Sequence, residues 1–337
     1  MSLWRGFLSE TGLTKAPGHR TDTTVSASAE ENGQGAEEHV EVRVLDPVPP
    51  APVPATAAAA PVAPGAGPGF GGVPADTPSA RAARTTGTHV TALERTLQSL
   101  VERHGTEHPD TIAARNNLAT KYARMGRREM AVQQFELALA EVAAVYGEEH
   151  PRTEIIRENL AWALEDAGRP ADAAVHWEIL LREREDQFGP ADEDTVEARA
   201  HLAMCYKRSG RLEEAIGHFE RAIEDAVSPQ RRDELRLSLS LALIRSECHA
   251  AAIGQLRTVL AGRRRRLGKS HIDTLTVHHR LGRAYTQAHR HEEAVEVLRD
   301  AYRTALGASG DPDVRRLTMR LKRDLAGAHA AADRDRG

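Results

Sequence analysis

The stretch GTEHPDT at residues 105–111 returns as GEEHPRT at 147–153 and as GPADEDT at 189–195, each time 42 residues further on. A longer block follows each copy. ARNNLATKYARMGRREMAV (114–132) is matched by RENLAWALEDAGRPADAAV (157–175) and by RAHLAMCYKRSGRLEEAIG (199–217). Leu118, Leu160 and Leu202 are in phase, as are Gly126, Gly168 and Gly210. Leu239 follows Leu202 by 37 residues, and Leu281 follows Leu239 by 42. Self-similarity at such a period marks stacked units, each too small to bury its apolar face alone.

Each unit reads as two helices. The first carries a leucine, a small residue and then a bulky one a turn later: Leu118/Ala119/Tyr122, Leu160/Ala161/Leu164, Leu202/Ala203/Tyr206, Leu239/Ser240/Leu243 and Leu281/Gly282/Tyr285. The second repeats the device as Ala131/Phe135/Ala138, Ala173/Trp177/Leu180, Ala215/Phe219/Ala222, Ala252/Leu256/Val259 and Ala294/Leu298/Ala301. The small residue admits a neighbouring helix, and the bulky one fills the space on the same face. Gly126, Gly168 and Gly210 suit a left-handed helix end. Glu247 and His289 stand in their place in the last two units, and those ends are expected to be less sharply defined. The short unit has AVSPQRRDE where others have the HP-x-T turn, with Pro229 placed for a first helical turn. That is either a tolerated loop deletion or a local change of pitch.

The pattern resembles the tetratricopeptide repeat, in its 42-residue kinesin-light-chain-like variant found in bacterial proteins. The resemblance rests on G-x-x-HP-x-T, NNLA-x-x-Y, the GR turn and the EEA spacing. It covers 88–330: a half-repeat at 88–104, repeats at 108–149, 150–191, 192–228, 229–270 and 271–310, and a capping helix at 311–329. It implies an all-α fold, an α-solenoid of antiparallel helix pairs in a right-handed superhelix, with atypical end units.

Residues 1–87 differ. They hold eleven of the 17 prolines and a long Pro/Ala/Gly stretch without apolar period. Such a segment cannot bury enough surface to offset its ordering entropy and is expected to be a disordered tail. Within it, Leu3, Trp4, Phe7 and Leu8 give 2–8 one apolar face, either a frayed terminus or a short docking motif. The chain has 337 residues, a net charge of −4 and 28% charged residues. That balance argues against a general nucleic-acid binder. No run of 18 apolar residues suggests a membrane span, and the first twenty residues lack a secretory h-region, so a cytoplasmic location is expected. Five lysines against forty arginines fit a GC-rich bacterial genome.

The sequence offers little chemistry. GRRRRLGKS at 262–270 has five residues between its glycines, whereas a P-loop needs four. Arg263 to Arg266 read as a solvated helix end complementing the helix dipole, or as a phosphate or acidic-peptide contact. His108 and His150 are expected to cap helices. His278, His279, His289 and His291 read as surface or turn residues. Two cysteines, Cys205 and Cys248, make no zinc set, and no G-x-S-x-G elbow occurs. No enzyme, metal or cofactor is expected.

The resemblance implies that first helices line a concave groove. The residues before the periodic leucines are then Asn117, Asn159, His201, Ser238 and Arg280. An asparagine amide offers both donor and acceptor to a peptide backbone. Trp162, Met204 and Leu241 lie three residues further along, flanked by Arg124, Lys207 and Arg208. These positions serve either as groove contacts or as inter-repeat packing. The two-asparagine, two-lysine arrangement of a carboxylate clamp is not present. The expected function is a non-catalytic scaffold binding a partner peptide. The alternative is a regulatory sensor whose groove is occupied in cis by the tail.

Overall fold

The computed structural model describes residues 78–308 and 310–336, with side chains from Val90 onward. Twelve helices occur among them: α1 Pro78–His104, α2 Pro109–Arg124, α3 Arg128–Tyr146, α4 Pro151–Asp166, α5 Pro170–Phe188 and α6 Glu193–Ser209. The series continues with α7 Leu212–Asp225, α8 Pro229–Arg245, α9 His249–Leu267, α10 Ile272–Gln287, α11 His291–Gly307 and α12 Pro312–Arg336. The described residues contain no strand.

Two boundaries differ from expectation. α1 begins at Pro78 rather than at 88, because Pro fits a first turn and the following SARAAR is rich in helix formers. α12 runs on to Arg336 rather than stopping at 329, its last turns held by buried Ala328, Ala331 and Ala332. The motif at 2–8 and the rest of 1–77 lie outside the described residues.

The chain divides into two compact units between Gly168 and Arg169. The first holds α1–α4, the second α5–α12. Within each, successive helices pack as antiparallel pairs, and alternate helices also touch: α2 with α4 in the first unit, α6 with α8 and α10 with α12 in the second. This is an α-solenoid arrangement.

Short signals set the helix ends. His108 Nδ1 accepts from the Asp110 amide at 3.2 Å, His150 Nδ1 from Arg152 at 3.1 Å, and His271 Nδ1 from Asp273 at 3.2 Å. Asp192 does the same to Asp194 at 3.0 Å, and Ser228 caps α8 through the Arg231 amide at 3.4 Å. Each satisfies an amide that a helix start leaves unpaired. In the motif's threonines, Thr111 Oγ1 donates to Gly105 O at 2.8 Å and Thr153 Oγ1 to Gly147 O at 2.7 Å.

The ends at Glu247 and His289 are as sharp as the glycine ends, contrary to expectation. Both residues take positive φ, 62° and 54°, beside 70° at Gly126 and 90° at Gly210. The closing bond is the same: Arg127 N to Tyr122 O at 2.9 Å, Arg211 N to Tyr206 O at 2.9 Å, Cys248 N to Leu243 O at 2.8 Å and Arg290 N to Tyr285 O at 3.0 Å. Tertiary packing holds the turn where the local residue disfavours it.

The small-and-bulky device forms the cores. In the first unit Ala119, Ala131, Phe135 and Ala138 are fully buried, and Ile112, Ala113, Val142 and Ile156 pack around Ala138. In the second, Trp177, Phe219, Leu202, Leu239 and Leu256 are buried to within 1%. At the fifth small position the space has closed: a Cβ on Gly282 would sit 2.4 Å from Leu298 Cδ2.

An arginine also recurs in the first helices, at 115, 157, 199 and 236. Arg115 is 9% exposed and pairs with Glu141 at 2.8 Å. Arg199 is 2% exposed and pairs with Asp225 and Glu185, each at 2.5 Å. In both units the second-helix carboxylate stands 26 residues after the arginine. A buried guanidinium persists only where its charge is met.

Candidate functional site

The polar row expected to line a groove does not remain one row. Asn117 is half-buried on α2, and its Oδ1 is buried without a hydrogen-bond partner. Asn159, on α4, is 2% exposed, and its amide donates to Asn116 Oδ1 at 3.0 Å. It therefore offers no free surface. Asn116, which the leucine phase passed over, is the other half of that pair. Trp162 is half-buried on α4, and Arg124 is exposed in the last turn of α2.

In the second unit His201 is also withdrawn from solvent. It is fully buried on α6, its ring stacked on Trp177 at 4.6 Å. Met204 is 5% exposed and belongs to the packing, whereas Leu241 on α8 is 39% exposed. Ser238 and Arg280 are half-buried, on α8 and α10. Trp177 thus packs on His201, one of the residues expected to be a polar groove contact, and Met204, expected in an apolar groove pocket, is buried instead.

The structure does bring a set of cations together. Lys207, on α6, is 8% exposed and lies 5.9 Å from the Phe219 ring. Arg245, from the end of α8, donates to Lys207 O at 2.6 Å. Burial, with the charges of Arg245, Arg208 and Arg280, pushes the Lys207 amine down to about 8. Arg280 itself is lowered by burial and by Arg263 and Arg283. A desolvated ammonium among guanidinium groups is short of negative charge.

Two acids near the starts of α6 and α8 are engaged with other groups. Glu197 Oε1 lies 3.5 Å from His201 and Oε2 3.7 Å from Arg231. Burial works against its charge, yet His201, Arg231 and Arg184 bring it down to about 2. Glu234 sits 3.5 Å from Arg231. Of the cations, the sequence picked out Lys207, Arg208 and Arg280. Arg283 stood at the sequence's groove spacing, three residues beyond Arg280, whereas Arg245 was missed, because only the packing of α6 against α8 shows that it reaches Lys207.

The GR turns have a defined role. Arg211 lies over the Tyr206 ring at 4.0 Å and Arg290 over Tyr285 at 4.9 Å in the second unit, and Arg127 over Tyr122 at 5.9 Å in the first. Tyr122 donates to Glu94 at 2.6 Å, and Tyr206 to Glu178. Burial, then the bonded carboxylate, raises both phenols to about 12. These groups join paired helices.

Other candidates resolve into structure. His278 and His279 are not surface residues: they are 5% and 8% exposed. His278 lies 3.7 Å from Asp300 on α11, and His279 2.7 Å from Asp324 on α12. Burial holds both imidazoles below their ordinary value. The arginine run is not simply solvated. Arg264 pairs with Asp300 at 3.2 Å, Arg266 with Asp233, and Arg263 donates to Asp273 O at 3.4 Å. Residues 262–267 are the last turns of α9, without the strand that a P-loop follows. Cys205 is buried and Cys248 exposed. Among the described residues, no group of three His, Cys, Asp or Glu side chains could hold a metal ion, and no helix is long and apolar enough to cross a membrane.

Three family models, each described as tetratricopeptide repeat, match residues 111–152, 198–234 and 233–306. No curated protein matches the sequence. Among solved structures, the chain is similar to nearly identical TPR-like repeats from a Podosopora anserina protein described as a kinesin light chain. That likeness has a TM-score of 0.54 at 23% identity, covering 61% of this chain and all of the other (100%). A variant of the same protein gives 0.53 at 22% identity, over 59% of this chain and 97% of the other. BtubC (BKLC) from P. vanneervenii gives 0.51 at 19% identity, over 70% and 94%. At these identities the likeness speaks for fold.

Proposed function

The chain belongs to the tetratricopeptide-repeat family, and from that premise we propose that it is a non-catalytic scaffold whose second unit binds an acidic segment of a partner protein. The observation that carries this reading is Lys207: an ammonium 8% exposed, with Arg208, Arg245 and Arg280 around it. A carboxylate brought by a peptide returns the charge that the folded chain lacks. Half-buried Ser238 supplies a hydroxyl, and exposed Leu241 an apolar contact beside it on α8. Charge-assisted bonds to arginine give such a site both strength and orientation. Cytoplasmic placement belongs to the same proposal.

The test is a peptide array that varies acidic content at fixed length, probed with the full chain and with Lys207→Met and Arg280→Gln. Wild type is expected to retain acidic peptides, more weakly as salt rises, and each variant to lose them. Binding that ignores peptide charge, or that survives both substitutions, refutes the proposal.

A further inference from the structure

The fourth repeat breaks the arginine–carboxylate rule of the others. Arg236 occupies the position of Arg115 and Arg199, but the residue 26 places on is Gly262, where those units carry Glu141 and Asp225. No ion pair reaches Arg236 among the described residues. A second change lies a turn earlier on α8. Arg232 stands where Thr111, Thr153 and Thr195 stand in the preceding units. Its Nη2 donates to Val227 O at 3.2 Å, while its Nε is buried with no acceptor.

These residues face one pocket of about 240 Å³, lined by Arg232, Arg236, Arg265, Arg266, Asp233 and Gly262 together with Pro229 and Thr258. It contains four guanidinium groups and one carboxylate, and that carboxylate already accepts from Arg266. The missing side chain at 262 makes the opening: a Cβ there would lie 3.4 Å from Asp233 Oδ2. The start of α8, with its positive dipole end, borders the same space through Pro229, Arg232 and Asp233.

We propose that this pocket binds a phosphoryl group, as free phosphate or as the phosphate of a small ester. The charge excess exceeds what one carboxylate could meet, and a phosphate dianion offers several acceptor oxygens to planar guanidinium forks. The volume lies below the roughly 300–1,000 Å³ usual for organic ligands, so the recognised part is small. In this reading the ligand takes the place of the carboxylate that the other repeats carry on their second helices.

The experiment is calorimetric titration of the full chain with inorganic phosphate and, separately, with glycerol 3-phosphate. Saturable binding is expected, tighter for whichever form the site prefers. Arg236→Gln should weaken it at least tenfold, and Gly262→Glu, which returns the carboxylate, should abolish it. Arg265→Gln, at an exposed helix end, should weaken binding with the fold intact by circular dichroism. Lys207→Met should leave it unchanged, separating this site from the peptide face. No saturable binding of either phosphate, or binding indifferent to Arg236→Gln, Arg265→Gln and Gly262→Glu alike, overturns the proposal.

Discussion

Replacing Glu247 and His289 by glycine should stabilise the protein. Both residues are exposed and hold positive φ at the end of a first helix. A left-handed conformation costs an L-residue roughly 1–2 kcal/mol. Glycine avoids that cost but loses roughly 0.5–1 kcal/mol more backbone entropy on folding. The difference leaves about 0.5–1 kcal/mol at each site. The sites lie one repeat apart, at the ends of different first helices, so their effects should add to within about 0.5 kcal/mol. The double variant Glu247→Gly/His289→Gly is then about 1–2 kcal/mol more stable, read as a higher denaturant midpoint by circular dichroism. Glu247→Ala is the control: it removes the carboxylate and keeps the strained backbone, and should bring no gain. A double variant no more stable than wild type, or an equal gain from alanine, would show that these turns carry no strain.

Four further expectations follow from the packing and the charges. Leu202→Ala, at a position 1% exposed, should cost about 2–5 kcal/mol, whereas exposed Glu213→Ala should be nearly neutral in the same denaturant titration. His150→Ala should remove about 1 kcal/mol with the cap, and His150→Asp should recover it, since Asp192 fills that role in the next unit. Lys207→Met should raise thermal stability at pH 7. The folded state disfavours the lysine proton, with the amine at about 8 against an ordinary 10.5, so the wild-type deficit is complete below pH 8 and closes as pH rises towards 10.5. Peptide binding by wild type should fade as pH rises from about 8, where the amine of the folded chain begins to lose its charge.

Period and phase were legible because the units are near-copies: a leucine every 42 residues is visible in any self-comparison, and the capping histidines announced themselves beside their prolines. Helix extent at the two ends was less so, since neither α1 nor α12 has a neighbouring copy to calibrate it. The groove was only partly legible. Asn159 and His201 are polar by composition, but burial depends on neighbours, here Asn116 and Trp177, at separations that no local pattern encodes. The 42-residue spacing of Arg115, Arg157 and Arg199 was present in the sequence. Its meaning needed the carboxylates on the second helix, and the exception at Gly262 became visible only against them.

The most direct test of the account is the place where a bound acidic peptide touches the chain. A photo-crosslinking residue at Leu241, on the first-helix face near the Lys207 cluster, should capture the peptide. The same residue at Val175, exposed on second helix α5, should not. Capture from Val175 and none from Leu241 would contradict the assignment of the binding face.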